Sequence, residues 1–183
     1  MKTESTAMYI LRLALTLLII TGVVAAALAG VNSITAPKIA QLTWEKTQEA
    51  IEAVLPGGGD VVENYTDETG LVSTLYQGEN GYAVEVTPGG FDNTITMMVG
   101  IDNEGNVLGI DIISHTETAG LGAVAAADTS AGEAFRTQFV GKNGAVSVSK
   151  DGGEIDALTG ATITSRAICE GVNAALACVT NMG

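Results

Sequence analysis

The sequence predicts an α+β domain that follows a single N-terminal transmembrane helix. Residues 13–37 contain no charged side chain and are numerous enough to cross a bilayer as a helix. Several segments in the middle of the chain alternate apolar and polar side chains with a period of two, which is typical of strands. Helical patterns lie before and after these strands, so we expect a mainly antiparallel sheet flanked by helices rather than a βαβ repeat.

The apolar segment of residues 13–37 is predicted to be a retained membrane anchor. A cleaved signal peptide is the alternative, because the stretch "ALAG" ends in small residues suited to cleavage. The apolar run continues past that stretch, however, and small residues recur every fourth position, a spacing that favours helix–helix packing. These residues are Gly22, Ala26 and Gly30.

Residues 38–55 are predicted to form a second helix, which ends at Pro56 and the three glycines after it. Its apolar stripe consists of Ile39, Leu42, Ile51, Val54 and Leu55. We therefore divide the chain into an anchor (residues 1–36), a helix with a glycine-rich linker (37–59) and one domain (60–183).

The domain contains four predicted strands and two predicted helices. "YAVEVTP" alternates cleanly, "TITMMVGI" and "VLGIDII" flank the turn "DNEGN", and "AVSVS" is a later short strand. A helix over "AGEAFRTQFV" precedes that last strand, and the final helix begins at about residue 163. The inner side of the final helix is predicted to carry Ile163, Ile168, Val172, Leu176 and Val179.

The composition excludes several classes of function. A formal net charge of −13 opposes binding to nucleic acid, and aromatic residues, at 4% of the chain, are too few for a base-stacking surface.

The two cysteines, Cys169 and Cys178, are predicted to lie about 13 Å apart on opposite sides of one helix, which is too far for a disulfide. We expect both to be small buried side chains. The sequence has no cluster of cysteine and histidine suited to a metal.

His115 is the one histidine of the chain and thus the one imidazole available for a hydrolytic pair. No G-x-S-x-G turn accompanies it, so hydrolysis is a weak hypothesis. The glycines at 120 and 122 allow a tight turn or a close approach to a flat ligand, and a plain loop explains them equally well.

The segment "DALTGATITS", residues 156–165, places four hydroxyl side chains directly before the final predicted helix. A helix needs one cap, and either Asp156 or Thr159 can accept a hydrogen bond from its first N–H groups. A cap does not account for Thr162. No lysine follows the glycine as in a Walker-type loop, but a phosphate attached covalently to the Thr162 oxygen at the positive end of the helix dipole needs none.

Two motifs resemble those of FMN-binding domains. Residues 156–162 match the D-x-x-[ST]-G-A-T signature, at which flavin transferases attach FMN to the last threonine through a phosphoester. Residues 115–122, "HTETAGLG", resemble the H-x-E-T-P-G-L-G stretch of the same domains, with Ala119 in place of the more common proline. With an N-terminal span and both motifs in this order, the chain resembles the G subunits of the Rnf ion-translocating electron-transport complex. The C subunits of the sodium-pumping NADH:quinone reductase form a related family.

The resemblance implies that Thr162 carries FMN covalently, with Thr164 and Ser165 as less suitable attachment sites deeper in the helix. The residues implied in cofactor binding are Asp156, Thr159, Gly160, Ala161 and Thr162 in the first motif. In the second motif they are His115, Glu117, Thr118, Gly120, Leu121 and Gly122. His115 is implied either as part of the flavin site or as a spectator. The resemblance implies neither a catalytic residue nor a metal ligand.

The implied function is that of an electron-transfer subunit in a membrane complex that couples ferredoxin:NAD oxidoreduction to Na+ or H+ translocation. Such a subunit has no complete catalytic activity alone. Its implied partners are the other integral-membrane and peripheral subunits of the Rnf complex, a flavin transferase and membrane lipid. The alternatives are a component like the C subunit of the sodium-pumping reductase, a tethered flavin module for electron export and a binding module without flavin.

The resemblance also implies a single-pass protein of the inner membrane with its flavin domain on the extracytoplasmic side. Charge alone leaves the orientation almost undecided, because Lys2 and Arg12 precede the span whereas Lys38 and Lys46 follow it. The acidic residues after the span do little to oppose translocation.

Overall fold

The computed structural model describes residues 6–182, so that Lys2, which enters the charge comparison above, lies outside the described residues. The chain falls into two compact units, one ending at Glu45 and the other beginning at Lys46. The second unit contains the sheet, two helices and the last turns of the first helix.

Helix α1 (Thr6–Val54) is continuous through both the predicted anchor and the predicted helix of residues 38–55. Pro37 lies inside it, where it removes one backbone hydrogen bond without ending a helix of this length. An 18-residue window of α1 reaches a mean hydropathy of 2.4, and the helix is long and apolar enough to cross a membrane. The glycine turn after residue 55 ends the helix, as predicted.

The five strands found in residues 6–182 form one antiparallel sheet in which each strand pairs with the next along the chain. They are β1 (Asp60–Val62), β2 (Val72–Gly78), β3 (Gly81–Val86), β4 (Thr96–Asp102) and β5 (Val107–Ser114). This arrangement confirms the predicted fold class. β2 was not predicted because its consecutive residues Leu75 and Tyr76 are both buried, on opposite faces of the sheet, which obscures the alternation.

Each face of the sheet has its own apolar core. The last turns of α1 cover one face, where Ile51 and Val54 pack with Ala83 and Met98. The other face packs against α3 (Thr162–Thr180) and α2 (Ser130–Thr137). Its cluster includes Val84, Met97, Phe135, Ile168 and Val172. The sheet and the second core fix the position of the N-terminus of α3.

One position of the predicted inner side of α3 is wrong, and two residues of the apolar stripe in α1 do not reach the core. Ile39 and Leu42 are exposed because they belong to the first unit, which does not contain the sheet. Ile163 is also exposed, at 49% of its surface, because it lies in the first turn of α3, where the helix emerges from the core.

The predicted strand "AVSVS" is wrong. Its backbone makes an isolated bridge, Val148 with Ile155, and no regular ladder. The side chain of Asn173 binds both backbone groups of Val146, accepting from its N–H at 2.8 Å and donating to its carbonyl at 2.9 Å. A helix side chain therefore satisfies the polar groups that a neighbouring strand would otherwise bind. The segment ends in a short 3-10 helix, Ser149–Asp151.

Both cysteines are free and buried, as predicted. Burial raises the pKa of the Cys169 thiol to about 11, and burial also raises the pKa of Cys178. The thiols therefore remain neutral and behave as small apolar side chains.

Candidate functional site

A cleft of about 340 Å³ lies at the N-terminus of α3. This volume falls within the range of roughly 300–1,000 Å³ that is usual for small-molecule and cofactor sites. Four segments contribute its walls: the loop between β3 and β4, the segment after β5, the 3-10 helix Ser149–Asp151 and the start of α3. The lining residues are Phe91, Glu117, Thr118, Leu121, Gly122, Lys150, Gly160, Ala161, Thr162, Ile163 and Thr164.

The structure brings together the two sequence motifs, which are separated by more than thirty residues in the chain. The backbone carbonyl of Thr118 accepts hydrogen bonds from the N–H groups of Leu121 and Ala123, at 3.1 and 3.2 Å, and so closes the turn of the second motif. The turn leads into a 3-10 helix, Gly122–Ala126. Gly120 and Gly160 both have positive φ, +77° and +74°, which glycine adopts without strain.

Gly122 has no space for a side chain. A Cβ at this position would lie 2.5 Å from both Glu117 Oε2 and Thr164 Oγ1. The glycine therefore lets the second motif approach the first turn of α3 closely enough for Glu117 and Thr164 to meet.

Each hydroxyl of the first turn of α3 has a specific environment. Thr162 Oγ1 accepts a hydrogen bond from Lys150 Nζ at 2.9 Å. The buried Thr164 hydroxyl donates to Glu117 Oε2. Ser165, fully buried, donates to the Ala161 carbonyl at 2.9 Å and accepts from the Leu158 N–H at 3.0 Å, which holds the turn that precedes the helix.

The prediction that Asp156 or Thr159 caps α3 is wrong. Ala161 occupies the N-cap, and no side chain in the described part of the chain caps this helix. The first intrahelical bond runs from the Ser165 N–H to the Ala161 carbonyl at 3.0 Å, so the amides of residues 162–164 precede it. These three residues all line the cleft. Unpaired amides at a helix N-terminus, together with the helix dipole, favour an anionic group there.

Lys150 supplies a positive charge beside these amides that the motifs did not predict. Its 3-10 helix is tied to α3 by Asp151, whose Oδ2 and Oδ1 accept from Arg166 Nε and Nη2 at 2.6 and 2.7 Å. Hydrogen bonding to Arg166 lowers the pKa of Asp151. The sequence contained a signal for this cation, since Lys150 is one of only eight cationic residues and lies twelve positions before Thr162.

Glu117 connects three of the cleft's segments. It is 8% exposed, and its Oε1 accepts a hydrogen bond from the Phe91 N–H at 2.8 Å while its Oε2 accepts from Thr164. The carboxylate therefore holds the β3–β4 loop against α3. Phe91 was also not predicted, because its place in the cleft depends on this distant contact.

Four of the residues implied in cofactor binding are not among the described residues that line the cleft: His115, Gly120, Asp156 and Thr159. His115 Nδ1 accepts from the Glu117 N–H at 3.2 Å and so stabilises the loop that carries the carboxylate. The backbone of Asp156 exchanges two hydrogen bonds with the Gln138 side chain, at 2.7 and 3.2 Å. Ala119, like Thr159, is exposed.

Comparison with known proteins finds a domain family and several relatives that match this chain. The FMN-binding domain family matches residues 90–177, a range that includes every residue lining the cleft. The G subunit of the Na(+)-translocating ferredoxin:NAD(+) oxidoreductase complex of Acetobacterium woodii is 32% identical over 195 residues, covering 94% of this chain and 93% of that protein. The G subunit of the ion-translocating oxidoreductase complex of Methanosarcina acetivorans is 31% identical over 179 residues, covering 91% of this chain and 93% of that protein. The corresponding protein of Vibrio vulnificus is 42% identical over a shorter stretch of 93 residues, 48% of this chain and 43% of that protein.

Proposed function

The chain belongs to the family of G subunits of ion-translocating oxidoreductase complexes, and we propose that it carries FMN as a phosphoester on Thr162 and transfers electrons within such a complex. It is a redox component of an enzyme complex with an FMN-binding domain, and its described residues contain one candidate membrane helix. The proposal depends chiefly on one observation, the convergence of the Thr162 hydroxyl, the first amides of α3 and the Lys150 ammonium in one cleft.

The site suits a phosphoester rather than a freely exchanging nucleotide. Thr162 is half-buried, and its oxygen faces Lys150, so an attached phosphate has a cation and helix amides as immediate neighbours. Thr164 and Ser165 are less suitable attachment sites because both are buried and their hydroxyls are engaged in internal hydrogen bonds. When bound, FMN supplies the redox chemistry, and the protein orients it and determines its surroundings.

The rest of the chain provides the membrane attachment. The apolar part of α1 anchors the domain beside the integral-membrane subunits, and a flavin transferase acts on residues 156–161 during maturation. The relatives from Acetobacterium woodii and Methanosarcina acetivorans are named as subunits of ion-translocating complexes. The first of these complexes is named as a Na(+)-translocating ferredoxin:NAD(+) oxidoreductase. We extend to this chain a role in the same reaction, coupled to Na+ or H+ movement.

The function is tested in membranes that contain the assembled complex with either wild-type chain or Thr162→Ala. We expect the variant to lose covalent flavin and ferredoxin-dependent NAD reduction, while the protein remains in the complex. Thr129→Ala, at the start of α2, is the matched control and should retain both. Full electron transfer by the flavin-free variant would contradict the proposed role.

We also propose that the domain lies on the extracytoplasmic side of the membrane. Asp128→Cys tests this, because the side chain of Asp128 is 99% exposed whereas the two native cysteines are buried. The variant in intact cells should react with a membrane-impermeant thiol reagent as completely as in broken cells. Labelling that requires broken cells would place the domain inside.

A further inference from the structure

Three of the residues that line the cleft are large, apolar and exposed. Phe91 is 65% exposed, Ile163 is 49% exposed and Leu121 is 42% exposed. They come from the β3–β4 loop, α3 and the second motif, respectively. Val61, Leu108 and Val140 are the other exposed large apolar side chains in the described residues of the second unit, and none of them lines this cleft. Apolar side chains that converge on a concave site are a feature of ligand-binding surfaces.

The backbone that carries Phe91 is held in place although its side chain is exposed. The Phe91 N–H donates to the buried carboxylate of Glu117 at 2.8 Å, and the loop is closed by hydrogen bonds from Gly90 N–H to the Asn93 carbonyl and from Ile95 N–H to the Pro88 carbonyl, at 2.8 and 2.9 Å. A Cβ at Gly90 would lie 2.3 Å from Glu117 Oε1, so the loop approaches the carboxylate as closely as glycine permits. The backbone hydrogen bonds of the loop therefore determine where Phe91 lies, and burial of its phenyl ring does not.

We propose that Phe91 packs against the isoalloxazine ring of FMN and that Leu121 and Ile163 complete an apolar site for this ring. The inference rests on the proposed attachment at Thr162. The ring system is flat, aromatic and much less polar than the phosphate end, so the two ends of the cofactor require different surroundings. The cleft provides both: Lys150 and helix amides beside Thr162, and exposed apolar side chains among the residues that line it. Aromatic rings favour offset or edge-to-face contacts with one another.

Phe91→Trp in the flavin-bearing full-length protein tests this contact, because an indole in contact with a flavin quenches its fluorescence by electron transfer. We expect the variant to lose most of the flavin fluorescence of the wild type. Val140→Trp is the matched control: Val140 is 50% exposed but lies outside the cleft, so this variant should retain wild-type fluorescence. Equal fluorescence of the two variants would overturn the proposal.

Phe91→Ala provides a second measurement that does not depend on a new aromatic side chain. The variant should keep its covalent FMN, as shown by intact mass, while iodide quenches its flavin fluorescence at least about twofold more efficiently because one side of the ring becomes accessible. Unchanged quenching with the adduct intact would overturn the role of Phe91 and leave the attachment at Thr162 standing. A wild-type protein without any flavin adduct would overturn both.

Discussion

Helices α2 and α3 both begin beside threonine, but their hydroxyls have different roles. At α2 the N-cap residue Thr129 is extended, with φ −124° and ψ 158°, and its Oγ1 accepts from the Gly132 N–H at 3.3 Å. Glu133 in the first turn adds a favourable negative charge. At α3, by contrast, the N-cap is Ala161, and no side chain in the described residues caps the helix.

The two turns differ in the partners of their hydroxyls, and the proposed attachment at Thr162 depends on this difference. The hydroxyl at α2 is used by its own helix, which leaves little capacity for a ligand. At α3, Thr164 and Ser165 fix the turn through Glu117 and Ala161, whereas Thr162 faces a lysine across the cleft. The first turn of α3 is thus uncapped and lies beside the Lys150 ammonium, an arrangement that favours an anionic group.

The largest expected effect on stability concerns the contact that distinguishes α3 from α2, the buried carboxylate of Glu117. Glu117→Ala leaves the Phe91 N–H and the Thr164 hydroxyl without their partner, and we expect the free energy of unfolding to fall by about 3 kcal/mol. Urea unfolding of the domain measures this change. Glu154→Ala is the control: its ion-pair partner is Lys142 and its side chain is 80% exposed, so its loss should leave the free energy of unfolding almost unchanged. Similar losses for both variants would contradict the role assigned to Glu117.

The two threonines should separate stability from cofactor attachment. Thr129→Ala removes a true cap and should lower the free energy of unfolding by about 1 kcal/mol with covalent FMN retained. Thr162→Ala should abolish the adduct and change the stability of the flavin-free protein by less than about 0.5 kcal/mol, because Thr162 caps nothing. Urea unfolding and intact mass measure the two quantities. The comparison between the helices fails if Thr162→Ala destabilises the flavin-free protein as much as Thr129→Ala does.

Lys150 should have a smaller effect, confined to the start of α3. Lys150→Met removes the cation that faces Thr162, and we expect flavin attachment by the transferase to slow roughly threefold, since an exposed charge interaction contributes about 0.3–1 kcal/mol. A time course of adduct formation by mass spectrometry measures this rate. Lys142→Met removes a cation paired with Glu154, away from the cleft, and should leave the rate unchanged. Equal rates of adduct formation for the wild type and Lys150→Met would contradict a role of Lys150 in binding the phosphate.

An effect that emerges only at high pH concerns Cys169, in the buried middle of α3. Burial raises the pKa of Cys169 from 9.0 to about 11, so the unfolded chain loses this proton at lower pH than the folded protein does. The stability contributed by the neutral thiol is therefore complete below about pH 9 and declines as the pH rises towards 11. Unfolding experiments on wild type and Cys169→Ala over this pH range should show their difference in stability shrink. A difference that stays constant would contradict the burial of the thiol.

Local patterns predicted most of the fold and the two motif segments of the cleft. The alternation in β3, β4 and β5 and the motif residues Gly160 to Thr162 were recognisable because their signals lie within a few consecutive residues. Phe91 and Lys150 were not predicted, because each reaches the cleft through a contact with a distant element: Phe91 through Glu117, and Lys150 through the Asp151–Arg166 pair. The strand predicted over "AVSVS" is wrong for the same physical reason. The side chain of Asn173, in α3, binds the backbone N–H and carbonyl of Val146, which a neighbouring strand would otherwise bind.

Peptide mapping of the flavin-bearing wild-type protein tests the central claim most directly. Trypsin cleaves after Lys150 and Arg166, so one peptide, residues 151–166, contains all four hydroxyls of the turn. We predict that this peptide carries the mass of FMN less one water and that its fragmentation places the added mass on Thr162. An adduct on Thr159, Thr164 or Ser165, or an unmodified peptide from flavin-bearing protein, would contradict the assignment.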